Sequence, residues 1–205
     1  MRPVGVSGVV LLLLLSPAAS DAPTKVILDT DMGGGGCQDV DDVGVLCMAN
    51  AMADNGEIDL LAIVLDTLPD ASAAVISTLQ TYYGRPEVPV GAFQAHAPLN
   101  HLRQAHPYTA AVAGGGWPHA VNTTAVLPSA VDVYRSTLAA QPDGSVVVVV
   151  VGVHTGLAAL LRSGADALSN ATGAELVASK VKLLAIMGGR YGGDYVRRVG
   201  AHGIP

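Results

Sequence analysis

Apolar residues follow two rhythms along this chain. Short apolar runs cover Lys25 to Thr30, Ile58 to Leu65, Ser145 to Val151 and Val181 to Met187. Between them, apolar positions recur at helical spacing. Val40 to Asn55 predicts a helix with Val43, Leu46, Cys47 and Ala51 on its apolar side, stopped by Asn55-Gly56. Ala71 to Tyr83 predicts another, ended by Gly84-Arg85-Pro86, and Ser129 to Ala140, Thr155 to Arg162 and Gly173 to Lys180 predict three more. Val88 to Val90 reads as a brief strand, whereas residues 92 to 128 lack a period and read as loop or irregular helix. The clearest buried strand is a run of six valines, Val146 to Val151, after Pro142-Asp143-Gly144. Continuously apolar strands alternating with helices predict a three-layer α/β fold, a mostly parallel sheet with helices on both faces.

The amino terminus breaks this pattern. Arg2 precedes an apolar run from Val9 to Leu15, and Ala18 and Ser20 stand at the small-residue positions of a cleavage site after Ser20. Residues 1–20 are therefore expected to be a secretory signal peptide, and residues 21–205 one domain whose last stretch, 190–205, is an irregular tail. Val4 to Leu15 is too short to span a bilayer that needs about 20 residues, so a secreted protein without membrane attachment is expected over an uncleaved anchor. Asn122-Thr123-Thr124 and Asn170-Ala171-Thr172 are glycosylation sequons in a eukaryotic secretory route.

Composition narrows the function. Half the residues are apolar and 14% are charged, which excludes a disordered interaction segment. Eleven basic against seventeen acidic residues give a net charge of −6 with no basic block, so no nucleic-acid partner is expected. Aromatic residues, at 4%, are too few for a base-stacking platform. Two cysteines cannot make a disulfide framework; Cys37 and Cys47 could pair, but Cys47 reads as a core position.

Candidate chemistry concentrates after the first strand. Asp29, Asp31, Asp39, Asp41 and Asp42 place five carboxylates in fourteen residues, interrupted by Gly33 to Gly36. Such a cluster at a strand's carboxyl end repels itself unless a cation neutralises it. An all-oxygen set selects a hard ion, Ca²⁺ or Mg²⁺. Helix capping accounts for one or two of these residues but not five. Glycines occupy the alternate ligand positions of an EF-hand, and so acidic a loop repels phosphate. An Asp-based, Mg²⁺-dependent phosphatase also starts with Asp-x-Asp after a strand, and stays as a rival.

Val26-Ile27-Leu28-Asp29-Thr30-Asp31-x-Gly33, followed by Asp41-Asp42 opening an apolar helix, resembles the signature of the inosine–uridine preferring nucleoside hydrolases. Leu60 to Val64 resembles the family's second strand. Val151-Gly152 with Thr155 and Leu157-Ala158 is similar to its Thr-Gly-Pro-Leu-Thr-Asn-Leu-Ala turn, and Lys182 to Gly189 to its strand ending in Met-Gly-Gly. The resemblance implies hydrolysis of the N-glycosidic bond of a small-molecule ribonucleoside. In that family Ca²⁺ holds the ribose diol and a water that attacks C1′. Asp31 would then be the general base and a metal ligand, joined at the metal by Asp42, the Val151 carbonyl and Asp29. Asp41 or Asp39 would bind the ribose, Asp66 would take the place of a ribose-binding Asn, and Met187 would lie beside the sugar.

The chain also departs from the family. Nine residues separate Asp31 from Asp41 where the family has three, and Gly156 replaces an Asn. The likeness ends near Gly189, before the family's later sugar-binding residues and its His-Asp pair. A catalytically incomplete relative that binds Ca²⁺ or ribose without turnover is thus the alternative expectation. His96, His101, His106 and His119 lack zinc spacing, His154 reads as a strand-end residue near the pocket, and Trp117 reads as packing. The preferred base and assembly into a homo-oligomer stay open.

Overall fold

The computed structural model describes residues 22–33, 40–68, 70–94, 107–121 and 124–188. The proposed signal peptide, Asp39, Cys37, the sequon at Asn122 and the tail from residue 189 lie outside the described residues. In chain order the elements are β1 (Thr24–Thr30), α1 (Asp41–Asp54), β2 (Ile58–Leu65), α2 (Asp70–Tyr82), β3 (Val90–Ala92), α3 (Pro107–Ala113), α4 (Ala130–Ala139), β4 (Val146–Val150), α5 (Thr155–Arg162), α6 (Gly173–Lys180) and β5 (Val181–Ile186). A 3-10 turn at Thr124–Val126 precedes α4. The five strands pair in the order β3-β2-β1-β4-β5, all parallel. The expected α/β architecture is the one observed.

Two apolar layers cover the sheet. On one face, Val26 and Leu28 of β1 and Leu60, Ile63 and Leu65 of β2 meet Leu46 and Ala49 of α1 and Ala73, Val75 and Ile76 of α2. On the other, Ile27, Ala62, Val64, Val146, Val148 and Val150 meet Val133, Tyr134 and Leu138 of α4, Leu157 and Leu160 of α5 and Leu176 of α6. Each fully buried side chain of this kind stabilises the fold by roughly 1.5–3 kcal/mol. Among the described residues, no helix is long and apolar enough to cross a membrane.

The strand pleat decides what reaches the site. Successive residues of a strand point to opposite faces. On β1, Leu28 joins the α1/α2 layer, Asp29 turns toward α4, and Thr30 turns back toward α1. On β2 the pairing skips a residue, Val26 opposing Leu60 and Ile27 opposing Ala62. That bulge re-aims the rest of the strand. Asp66, which follows Leu65, consequently reaches the α5 side, as Asp29 reaches the α4 side.

Three expectations need correction. The third strand is Val90–Ala92, not Val88 to Val90. Pro89 has no N–H to give the ladder, and only its carbonyl takes part, accepting from Ile63 at 2.9 Å. Gly91 suits this strand because a β-carbon there would stand 2.8 Å from Cβ of Val133 on α4. The buried side of α1 is Asp42, Leu46, Ala49 and Asn50, while Ala51 is exposed and Cys47 only half-buried. Asn50 can be buried because its amide donates to Leu46 O and Gln80 Oε1 at 3.0 and 2.7 Å, which rotates the packed stripe away from Ala51 and Cys47. Trp117 is not a packing residue: it is 61% exposed, on a groove with Tyr82, Val112 and Pro118.

Candidate active site

The carboxyl ends of β1 and β2 and the start of α1 bring four carboxyl groups to one end of the sheet, Asp29, Asp31, Asp42 and Asp66. Parallel order puts every strand's carboxyl end here, and β1 lies at the centre of the sheet. The chain is tight around Asp31. A β-carbon on Gly152, just beyond β4, would stand 2.3 Å from the Asp31 backbone nitrogen, so Val151 and Gly152 abut the tip of β1. The Val151 N–H donates to Asp29 O at 2.9 Å, and Asp66 N–H donates to Thr30 O at 2.9 Å, tying the three strand ends together. Gly33 turns the chain back with φ 65°, a conformation that favours glycine.

These carboxyls form two pairs. Asp31 and Asp42 hydrogen-bond through their side chains at the mouth, where Asp31 is half-buried and Asp42 is buried. Thr30 fixes Asp42: its hydroxyl donates to Asp42 Oδ1 and accepts the Met32 N–H at 3.2 Å. The second pair, Asp29 and Asp66, stands side chain against side chain and has no exposed surface at all. Tyr134 Oη donates to Asp29 Oδ2, and the Gly156 N–H donates to Asp66 Oδ1 at 2.7 Å. Asp29 Oδ1 and Asp66 Oδ2 are buried without a hydrogen-bond partner.

Charge is poorly compensated here. Among the described residues, the ion pairs join Arg85 to Asp54, Arg135 to Asp166 and Lys180 to Asp143, all away from this cluster. Burial therefore lifts every carboxyl in it. Asp42 rises to about 7, first through burial and then through the Asp31 and Asp41 charges, against the lowering bond from Thr30. Asp66 rises to about 6 through burial, opposed by its neighbours Asp29, the Gly156 N–H, Thr155 and His154. Asp31 rises through burial, partly offset by its bond with Asp42. Asp29 goes well above the usual range through burial, with the Asp66 charge adding to it. Burial and the Asp29 carboxylate likewise push the Tyr134 phenol up. Tyr134 consequently stays a hydrogen-bond donor.

An oxygen-liking cation suits this chemistry, because two buried carboxylate oxygens have no partner and none of the ion pairs of the described residues reaches them. Among the described residues, no group of three or more His, Cys, Asp or Glu side chains forms a metal-holding constellation.

The remaining sequence candidates are distributed around the pairs. Asp41 is exposed in the first turn of α1, where its Oδ1 accepts the Asp42 N–H at 3.0 Å. Val151 is half-buried directly after β4. Met187 is 53% exposed after β5, its N–H bonded to Val150 O at 2.8 Å. His154 is exposed before α5 and makes no side-chain cap bond to it. Thr30 and Tyr134 are site residues that the sequence pattern did not mark, and Gly156 stood out only as a departure from the family's Asn. Thr30 was visible inside Asp29-Thr30-Asp31. Tyr134 gave no signal, since its place on the apolar stripe of α4 is what a core residue shows.

No family model matches the chain, and no curated protein matches it. Solved structures do. The effector protein XOO4466 is 23% identical with a TM-score of 0.63, over 83% of this chain and 45% of that one. The type III effector protein XopQ complexed with adenosine diphosphate ribose gives 23%, 0.63, 83% and 44%. The inosine-uridine preferring nucleoside hydrolase from Bacillus anthracis is 18% identical with a TM-score of 0.60, over 82% of this chain and 51% of that one. The chain has a nucleoside hydrolase-like α/β fold, and it spans about half the length of these structures.

Proposed function

We propose that this protein hydrolyses the N-glycosidic bond of a ribonucleoside, with Ca²⁺ as its cofactor and outside the secreting cell. The observation that carries the reading is the pair of uncompensated carboxyls at the mouth, Asp31 and Asp42, at the carboxyl end of the central strand of a nucleoside hydrolase-like fold. Asp31, Asp42, Asp29 and the Val151 carbonyl would hold the ion. When bound, Ca²⁺ would neutralise these carboxylates and acidify water.

Each side chain then has a task. Asp31 is the more accessible of the mouth pair and accepts a proton from the attacking water as general base. Asp42 is held still by Thr30 and adds negative charge where positive charge develops on the sugar. Asp41, exposed one residue earlier, accepts from a ribose hydroxyl, with Asp39 as the other candidate for that contact. Met187, exposed beyond β5, offers an apolar flank to the sugar. The likeness to XopQ, whose structure was solved with adenosine diphosphate ribose, supports a ribosyl ligand.

Incubating the protein with inosine and uridine, with and without a chelator, tests the reading. Ribose release that the chelator abolishes is the expected result. Calcium uptake without ribose release would favour the alternative of a binding protein without turnover.

A further inference from the structure

Asp29 and Asp66 differ from every other acidic pair among the described residues in being wholly enclosed. Neither has exposed surface, yet each leaves one oxygen, Asp29 Oδ1 and Asp66 Oδ2, without a hydrogen-bond partner. The other oxygen of each is pinned, by Tyr134 Oη on Asp29 and by the Gly156 N–H on Asp66. Thr155 Oγ1, one residue before Gly156, is a further buried oxygen and lies against Asp66. Buried acceptors left open cost stability unless something electropositive reaches them. Pinning one oxygen of a carboxylate fixes the direction of the other, which is how neighbouring groups orient metal ligands.

We infer that Asp66 is a ligand of the divalent cation together with Asp29, with Tyr134 and the Gly156 N–H acting as positioning groups behind the two carboxylates. The inference rests on the proposed function and moves Asp66 from the sugar to the ion. Thr155 adds a neutral oxygen of the kind hard cations accept. Gly156 serves the arrangement by being small: a β-carbon there would stand 2.5 Å from Asp66 Oδ1 and 3.6 Å from Asp29 Oδ2, inside the space the pair occupies.

Calorimetric titration of the full chain with CaCl₂ tests it without reference to turnover. Asp66→Asn keeps the acceptor for the Gly156 N–H and removes the charge, so its calcium affinity is expected to fall at least 10-fold with the circular dichroism spectrum unchanged. Wild-type affinity in Asp66→Asn, alongside calcium loss in Asp31→Asn, overturns the inference and leaves the proposed function standing. No calcium uptake by the wild-type protein overturns both.

Terbium supplies a second readout should Asp66→Asn not fold. In the Trp117→Phe background, which lacks tryptophan, Tb³⁺ emission sensitised by tyrosine is expected to fall by half or more on Tyr134→Phe at saturating Tb³⁺. Tyr108→Phe, removing a phenol that sits on Met32 Sδ at 3.7 Å, is expected to change it less. Equal emission with and without the Tyr134 hydroxyl overturns the assignment.

Discussion

Oδ1 of Asp66 accepts the Gly156 N–H at 2.7 Å and occupies the space that a β-carbon on residue 156 would need, 2.5 Å away. The two residues therefore fit only as a pair. Gly156→Ala is expected to push Asp66 off its backbone donor and to destabilise the protein by about 1–3 kcal/mol, the usual cost of overpacking a closed site. Urea unfolding measures the loss. The double variant Gly156→Ala with Asp66→Gly should recover part of it, because the clash disappears with the carboxylate.

Stability should fall with rising pH when no divalent cation is present. Asp42 and Asp66 are raised to about 7 and about 6, and Asp29 and Asp31 also lie above the ordinary carboxylate value. The folded protein then holds protons that the unfolded chain releases near pH 4, so these groups favour folding least above their folded pKa values. Thermal unfolding in EDTA is expected to show Tm decreasing from pH 5 to pH 7.5. Excess calcium should raise Tm most at the upper end, where the carboxylates are ionised. A Tm in EDTA that climbs over the same window contradicts the assignment.

Asp31→Asn separates function from stability. Loss of the general base should lower ribose release about 10²–10⁴-fold. The same change removes a negative neighbour of Asp42 and Asp29, so in EDTA at pH 7.5 the variant should melt above the wild type. Progress curves and a melting scan on one preparation check both directions.

Arg135 carries the fold on the opposite flank of α4. Its side chain is fully buried and donates to both oxygens of Asp166 at 2.6 and 2.9 Å, to Ser163 Oγ at 3.0 Å, and to the carbonyls of Ser169 and Ala171 at 3.0 and 2.9 Å. The segment from α5 to α6 is strapped to α4 through this one guanidinium. Arg135→Ala should lower Tm by roughly 5–10 °C, and Arg135→Lys should rescue little because an ammonium cannot supply the planar fork. Calcium binding should survive at temperatures where either variant is folded.

Much of the architecture was already written in the chain. Val146 to Val151, Ile58 to Leu65 and the run ending at Thr30 are apolar throughout, and a strand needs that only when helices cover both faces. Such patterns are local, so they survive without knowledge of neighbours. The same holds for the Asp29-Thr30-Asp31 tip, since any strand of a parallel sheet delivers its next residues to the ligand-binding edge. The edges of the pattern were less secure: β3 begins at Val90, just past Pro89, and the polar Asn50, bonded to Gln80, stands on the buried side of α1.

Which carboxylates meet was decided only in three dimensions. Sequence proximity grouped Asp29 with Asp31 and Asp42, but the pleat of β1 sends Asp29 to the α4 side while Thr30 reaches Asp42. The bulge in β2 then brings Asp66, 37 residues from Asp29 in the numbering, against it. Tyr134 and Gly156 complete that pair from α4 and α5, and nothing in the local sequence of Tyr134 announces it. A chain fixes its own periodicities through short-range sterics and burial, whereas partners far apart in sequence are set by register and packing, which no single segment contains.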